Sequence, residues 1–349
     1  LTTVKAAEVH VTERYKTSSS IGINIEAEAS VTRVQAAIVA GSEKDPNINY
    51  TEYVQKHSVC DAKGSYTLAF DFLKPESIYT IYVLAYDENG LPTGLKSLTC
   101  STGAVADDPF TVTTTHVGTT TLKYNVTAKD ASVKYCTFAT GYDYYQRWQL
   151  EEGTNGDVIK HFISMWSTFA SWYGENWQTM MKYDRREGTY EGDGYHLMWD
   201  ARQVVITFGM DDDGNLVTPI QVDSIHTNAP TPVDMDIPLT VLSNEWGDQQ
   251  IKAAPTTNTP YFITMQPAAY VDLYKTDAAL LRALCYEADN INPTDLARTR
   301  DEDLRDGLWE FRVRKDVDTN YYIIAVGLDE GAPATRAFKT KITVPGGSF

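Results

Sequence analysis

One stretch of the chain, Pro75 to Gly90, recurs twice, and this repetition constrains the fold more than any other feature. The two later copies are residues 199–214 and 317–331. Each copy starts near an acidic residue, continues as a mostly apolar run, and ends with an Asp that opens a Gly-containing turn. The aligned aspartates, Asp87, Asp211 and Asp329, lie 124 and then 118 residues apart. A period of that length is the size of a whole domain, so the sequence predicts three successive domains of one type.

The apolar part of each copy has the composition of a β-strand. Residues Tyr79 to Tyr86 are rich in β-branched and aromatic side chains, which suit a half-buried pleated surface. Asp87 to Gly90 has turn chemistry, because Asp, Asn and Gly tolerate the left-handed backbone conformation. Each copy therefore predicts a closing β-hairpin. After each turn the chain continues to a threonine, which is Thr102, Thr227 or Thr340.

The first copy resembles the end of a fibronectin type III domain, which is an immunoglobulin-like β-sandwich. The family pattern Leu-x-Pro-x-x-x-Tyr-x-apolar-x-apolar-x-Ala is matched by Leu73, Pro75, Tyr79, Ile81, Val83 and Ala85. The resemblance implies that Tyr79 and Tyr321 are structural tyrosine-corner residues, whose hydroxyls bond to the backbone a few residues upstream. Gln203 occupies the equivalent place in the middle copy, where the chain departs from the pattern.

We therefore predict a mainly β fold of three tandem fibronectin type III-like β-sandwiches, at residues 1–104, 105–229 and 230–349. Alternating apolar residues mark strands in the first two, at Ile21–Ala27 and again at Leu122–Ala128. An apolar content of 42% is sufficient for cores of this number and size.

Helical patterns interrupt the second and third sandwiches. Residues 142–199 hold apolar side chains at helical spacing, with Asp157 as the N-cap and Gly174 as the end of the main helix. In the third sandwich the insert spans about 276–306. Thr276 caps its first helix, and Asn292 followed by Pro293 indicates a second helix. The corresponding part of the first domain, about Gly41 to Gly64, is predicted to be a loop.

Charge and motif content exclude several classes of function. The net charge is −17, and no basic stripe exists, so nucleic acid is not an expected partner. The four cysteines form no CxxC pair, and the six histidines show no zinc-binding spacing, so no metal or cofactor is expected. Asp211 to Gly214 lacks the spacing of a calcium loop and is interpreted as an exposed hairpin tip. Whether Cys60 and Cys100 form a disulfide is left open.

The most unusual feature is a cluster of aromatic residues between Tyr142 and Trp199, which holds five of the seven tryptophans. Two interpretations stand: the insert needs a small core of its own, or it offers an exposed aromatic surface to a partner or sugar. We expect one helical face, comprising Ile159, Phe162, Trp166, Phe169 and Tyr173, to pack on the sheet. The candidate ligand-binding residues are Trp172, Trp148 and Tyr145.

Taken with the acidic charge and a first residue, Leu1, in sequence of mature character, these repeats resemble adhesion-type surface lipoproteins of Gram-negative gut bacteria. The resemblance implies export to the bacterial cell surface or outer membrane. It also implies an N-terminal lipid anchor that has been removed from this chain, with no membrane span. No apolar run is long enough to cross a bilayer.

The first functional hypothesis is a non-enzymatic surface interaction or adhesion protein that binds a protein or glycan ligand through its loops and helical inserts. The alternative is a carbohydrate-binding component of a surface glycan-uptake system, which an exposed, coplanar Trp/Tyr pair in 142–199 would favour. A third hypothesis, a hydrolase, would require a cleft with two facing carboxylates of perturbed pKa.

Overall fold

The computed structural model describes residues 8–243, 249–287, 304–305, 307–313 and 319–344. Its strands form three pairs of antiparallel sheets with helices inserted between strands, which confirms the predicted fold class. The chain divides into two compact units, of which the first comprises 1–115, 123–193 and 203–225, and the second 116–122, 194–202 and 226–349. The domain boundaries at 104 and 229 stay predictions. No helix among the described residues is both long and apolar enough to cross a membrane.

The first sandwich contains seven strands and one helix. Its elements are β1 (Val9–Lys16), β2 (Ile21–Ala27), β3 (Arg33–Ala40), α1 (Tyr50–His57), β4 (Cys60–Ala62), β5 (Tyr66–Phe70), β6 (Ile78–Tyr86) and β7 (Pro92–Ser101). The sheets have the strand orders β1-β2-β5 and β4-β3-β6-β7. Ile23 and Ile25 from one sheet, and Ile81 and Val83 from the other, share one buried core.

The second sandwich carries the largest helical insert. Its elements are β8 (Phe110–Val117), β9 (Leu122–Ala128), β10 (Tyr135–Gly141), α2 (Tyr142–Leu150), α3 (Val158–Tyr173), α4 (Trp177–Asp184), β11 (Thr189–Gly194), β12 (Arg202–Gly209) and β13 (Gln221–His226). The sheets are ordered β11-β9-β8 and β10-β12-β13. Helix α3 begins and ends as predicted, because the Asp157 side chain accepts a hydrogen bond from the Ile159 N–H and Gly174 adopts a φ of 70°.

The third sandwich carries a shorter helical insert. Its elements are β14 (Leu239–Ser243), β15 (Gln249–Ala253), β16 (Tyr261–Pro267), α5 (Ala268–Val271), α6 (Asp277–Arg282), β17 (Leu304–Arg305), β18 (Trp309–Val313), β19 (Thr319–Asp329), β20 (Ala332–Pro333) and β21 (Phe338–Val344). The sheets are ordered β14-β15-β18 and β17-β16-β19-β20, with β21 also paired to β19. Thr276 caps α6 as predicted, and a π-helical turn (Ala283–Glu287) follows. The helix predicted from Asn292 lies outside the described residues.

The repeated strand is buried on both faces in each sandwich. In β6, Ile81, Val83 and Ala85 face the core between the sheets. The alternate residues pack beneath α1, in a cluster formed by Ala37, Tyr50, Val54, Tyr82, Leu84 and Tyr86. The prediction of a loop between Gly41 and Gly64 is therefore wrong. This helix is short and buries only Tyr50 and Val54, so its apolar pattern in the sequence is weak.

The other two copies follow the same plan. In β12, Val204, Ile206 and Phe208 pack against α3 and α4. In β19, Ile324, Val326 and Leu328 pack against α6 and the π-helical turn. A strand covered on both faces needs apolar residues at successive positions, which explains the continuous apolar runs in the sequence.

The tyrosine-corner positions are both buried. The Tyr79 hydroxyl accepts a hydrogen bond from the backbone N–H of Lys74 at 3.0 Å, which is the upstream backbone contact that the resemblance implies. Tyr321 begins the corresponding apolar run of β19, and residues 314–318 just upstream of it lie outside the described part. Gln203 is buried at the equivalent position of β12.

A threonine closes the first two copies of the repeat by bridging two backbone groups. Thr102 Oγ1 donates to the Lys74 carbonyl at 2.7 Å and accepts from the Ser77 N–H at 3.0 Å. Thr227 Oγ1 donates to the Met198 carbonyl at 2.6 Å and accepts from the Ala201 N–H at 3.2 Å.

In both cases, the two backbone groups that the threonine bridges lie on either side of the acidic residue of the repeat. Glu76 and Asp200 have φ values of 50° and 46°, a left-handed conformation that costs non-glycine residues of order 1–3 kcal/mol. The threonine bridge holds that turn in place. Thr340 does not match this arrangement, since it pairs with Ile323 in the middle of β19.

We expect Thr102→Val and Thr227→Val each to lower the free energy of unfolding by about 1–3 kcal/mol, because each variant loses two part-buried hydrogen bonds, which contribute about 0.5–1.5 kcal/mol apiece. Urea denaturation measures the change. Thr114→Val, at an exposed position of β8, is the control. Losses no larger than that of the control would show that the bridge does not contribute.

Candidate interaction surface on the helical insert

The inner face of the insert is a packed core. Phe162, Trp166 and Met181 are fully buried against the sheet. The Phe162 ring stacks on Phe138 with centroids 4.3 Å apart. The Trp166 Nε1 donates to Asp184 Oδ2 at 2.7 Å. Much of the aromatic cluster therefore serves packing.

The end of α3 exposes three aromatic side chains, Phe169, Trp172 and Tyr173, which we call the aromatic patch. Their exposed fractions are 41%, 67% and 72%. The rings of Phe169 and Trp172 meet edge to face, with centroids 5.3 Å apart and an interplanar angle of 79°. The helix ends at Gly174 just beyond them.

The expectation that Phe169 and Tyr173 face the sheet is wrong. At about 100° per residue, Tyr173 lies on the same side of the helix as Phe162 and Trp166. The last buried residue of α3 is Ala170. The covered part of the helix therefore stops before its final turn, and side chains beyond Ala170 reach solvent on every side.

The other two predicted binding residues lie in α2 and do not share the exposure of Trp172. Trp148 is half-buried and stacks on His161, with centroids 4.4 Å apart and an interplanar angle of 9°. Tyr145 is only 1% exposed. Its hydroxyl donates to Asp71 Oδ2 at 3.1 Å, which ties α2 to the segment that follows β5. Trp172 is thus the one predicted binding residue that the structure leaves open to a macromolecule.

Within the first unit, the loop before α3 contacts the first sandwich directly, a junction that the sequence pattern did not predict. Arg14 and Asp157 form an ion pair at 2.9 Å. The Thr67 N–H donates to the Asn155 carbonyl at 2.9 Å. At Gly156, which has a φ of 82°, an added Cβ would lie 1.8 Å from the Thr67 carbonyl oxygen. The partners are far apart in the sequence, so no local spacing signals them.

A second junction within this unit joins the chain near Ser18 to the start of β8. Asp108 is buried and accepts hydrogen bonds from the Ser18 N–H at 2.7 Å and the Ser18 hydroxyl at 2.5 Å. Nearby, the Gln221 amide donates to Asp223 Oδ2 at 2.9 Å. Burial raises the pKa of Asp223 to about 6, and the neighbouring Asp108 charge adds to the shift.

The cysteines and the acidic hairpin tip serve structural roles. All four cysteines are free thiols, so Cys60 and Cys100 are not bonded in this structure. Burial raises the pKa of each of these two to about 11, which disfavours the reactive thiolate. Asp211 accepts hydrogen bonds from the N–H groups of Asp213 and Asn215, as a turn residue does. The described residues include no group of three or more potential metal ligands.

We expect Gly156→Ala to lower the free energy of unfolding by about 1–3 kcal/mol more than Gly153→Ala. Both glycines have a positive φ, so both variants carry the same backbone strain, whereas an added Cβ at Gly153 meets nothing within 4 Å. The difference between the variants, measured by urea denaturation, isolates the close approach to Thr67. Equal losses of stability in the two variants would contradict the close approach of Gly156 to Thr67.

Asp223→Asn should make the protein more stable at neutral pH. The folded-state pKa is raised from 3.8 to about 6, so the folded state holds the proton more tightly than the unfolded chain does. Stability from this group is present below pH 3.8 and is lost as the pH rises through about 6. The variant should gain roughly 1–3 kcal/mol above that range and nothing in acid. Glu152→Gln, at an exposed site, should show no such pH-dependent gain.

Comparison with solved structures finds distant likeness to arrays of fibronectin type III domains. The central fibronectin-III array of RIM-binding protein is 10% identical, over 73% of this chain and 82% of that one, with a TM-score of 0.21. Chicken CNTN1 FN1–FN3 is 11% identical, over 96% and 97%, with a TM-score of 0.20. A family 28 exopolygalacturonase of Yersinia enterocolitica is 16% identical, over 29% and 20%, with a TM-score of 0.20.

No protein-family model and no curated protein matches the chain. TM-scores this low carry no argument about function. The sandwich fold rests on the strand pairing described above.

Proposed function

We propose that the protein is a non-enzymatic interaction protein that binds a protein partner through the aromatic patch at the end of α3. The observation that carries this proposal is the exposure of Phe169, Trp172 and Tyr173 on a helix whose earlier turns bury one apolar face. An aromatic patch on a rigid support is the usual form of a binding hot spot, because large side chains bury much area and lose little conformational freedom.

The ring geometry favours a protein partner over a sugar. A pyranose stacks on a flat aromatic platform, whereas the Phe169 and Trp172 rings stand 79° apart. Tyr173 supplies a third, exposed ring in the same turn. Edge-to-face rings suit the irregular apolar side chains of a protein. A carbohydrate-binding role in glycan uptake is the second candidate, and the experiment below includes it.

The raised pKa of Asp223 does not favour a hydrolase. The charge of Asp108 contributes to this shift, and two neighbouring carboxylates are the kind of pair that an acid–base mechanism could use. Asp108, however, has both of its carboxylate oxygens bonded to Ser18. That arrangement joins two segments of backbone rather than facing a substrate, which supports a non-enzymatic role.

The proposal includes a location on the bacterial cell surface or outer membrane, reached by export. An N-terminal lipid anchor would hold the protein there. The supporting features are the tandem sandwich architecture and the net charge of −17, which favours a well-solvated protein. Surface labelling of intact cells with an antibody to this chain tests the location.

We expect Trp172→Ala to weaken partner binding by about 2 kcal/mol or more, with little loss of stability, because the side chain is exposed. The probes are immobilised mucin, fibronectin, laminin and collagen, with soluble oligosaccharides as a separate arm. Biolayer interferometry measures affinity, and thermal unfolding measures stability.

Two variants serve as controls for this experiment. Tyr195→Ala removes an exposed aromatic ring outside the patch and should leave binding unchanged. Trp148→Ala removes a half-buried ring stacked on His161 and should cost stability instead. Binding of oligosaccharides alone would favour the glycan-uptake role. Equal affinities of wild type and Trp172→Ala for every probe would refute the proposal that the aromatic patch is the binding surface.

A further inference from the structure

A cavity of about 200 Å³ lies within the first unit, between residues of the first sandwich and α2. Its sandwich side is largely apolar and includes Ile38, Leu68 and Phe70. Helix α2 supplies Tyr142 and Tyr145 together with Gln146 and Gln149. The space equals that of roughly six water molecules at about 30 Å³ each, so it can hold a small organic molecule.

The polar residue that sets the character of this cavity is Asp71. Its Oδ1 accepts a hydrogen bond from the Ser20 hydroxyl at 2.6 Å, and its Oδ2 accepts one from the Tyr145 hydroxyl at 3.1 Å. Both of these partners are neutral hydroxyl groups. Arg14 is engaged with Asp157 at 2.9 Å.

A part-buried carboxylate without a positive partner is costly when ionised, since hydroxyl groups replace only part of its hydration. The two hydroxyls nevertheless donate to Asp71 as they would to a carboxylate. Each carboxylate oxygen has more than one lone pair, so both can accept a further bond. A cation in the cavity would complete this arrangement.

We propose that this cavity binds a small organic cation, an alkylammonium or quaternary ammonium group, with Asp71 as its counter-charge. The rings of Tyr142 and Tyr145 lie 6.1 Å apart, centroid to centroid, at an interplanar angle of 29°. Aromatic faces attract such cations through their quadrupole, and the apolar wall accommodates the alkyl groups. A metal ion would find one carboxylate and few other oxygen ligands, which suits it poorly.

Binding should weaken in acid. Burial raises the pKa of Asp71, and only the ionised form attracts a cation. Asp71 and burial both raise the pKa values of the two facing phenols, Tyr15 and Tyr145, so these stay neutral throughout. The charges of Arg14 and Asp157 also act on Tyr15, but they oppose each other.

The test is isothermal titration calorimetry of the full chain with choline, with butylammonium, and with the neutral carbon isostere of choline, at mildly alkaline pH. We expect one-to-one binding of at least one cation, with an affinity about tenfold or more above that of the neutral isostere. No binding of either cation, or equal binding of choline and its isostere, would overturn the proposal.

Three variants locate the site. Asp71→Asn removes the charge while keeping the size, and should weaken cation binding about tenfold or more. Ala69→Leu adds carbon atoms to the cavity wall and should also weaken it. Asp223→Asn removes a half-buried carboxylate elsewhere in the same unit and should leave affinity unchanged. Unchanged affinity in both Asp71→Asn and Ala69→Leu would overturn the assignment, and thermal unfolding of each variant confirms that it is folded.

Discussion

Burial of the repeated strand on both faces is the constraint on which the rest of this structure depends. A sandwich buries only one face of each sheet, so the apolar outer face of β6, β12 or β19 must be covered by something else. In each copy a helix from the same sandwich provides the cover: α1, then α3 with α4, then α6. The helices are thus as much a part of each domain as its strands, and their size sets how much additional surface the domain presents.

The sequence predicted the parts of this plan that depend on local patterns. The caps of α3 at Asp157 and Gly174 are side-chain and backbone effects within one turn of the helix ends. Helix α1 was missed because only Tyr50 and Val54 are buried in it, which leaves too few apolar positions to define a helical period. The exposure of Tyr173 was missed because spacing gives the side of a helix on which a residue lies, but not where the supporting sheet ends.

The contacts within the first unit could not be predicted from spacing at all. Arg14 and Asp157 are separated by 143 residues, and the N-cap position of Asp157 gives no sign in the sequence that Arg14 is its partner. Tyr145 illustrates the same difficulty, since an aromatic residue beside Trp148 gives no sign in sequence that its hydroxyl meets Asp71. Pairings of this kind depend on the packing of two domains, and a single sequence contains no direct record of them.

The covered strand has a consequence for how such repeats can change over time. The residues on the inner face of each helix are constrained by their packing on the sheet, as Phe162 and Trp166 are in α3. The residues of α3 beyond Ala170 are exposed, and substitutions there leave the supporting fold intact. Each domain therefore separates the residues that maintain its shape from those that meet the outside. Selection can act on the second group in one copy without disturbing the other two, so related chains can share this architecture while recognising different partners.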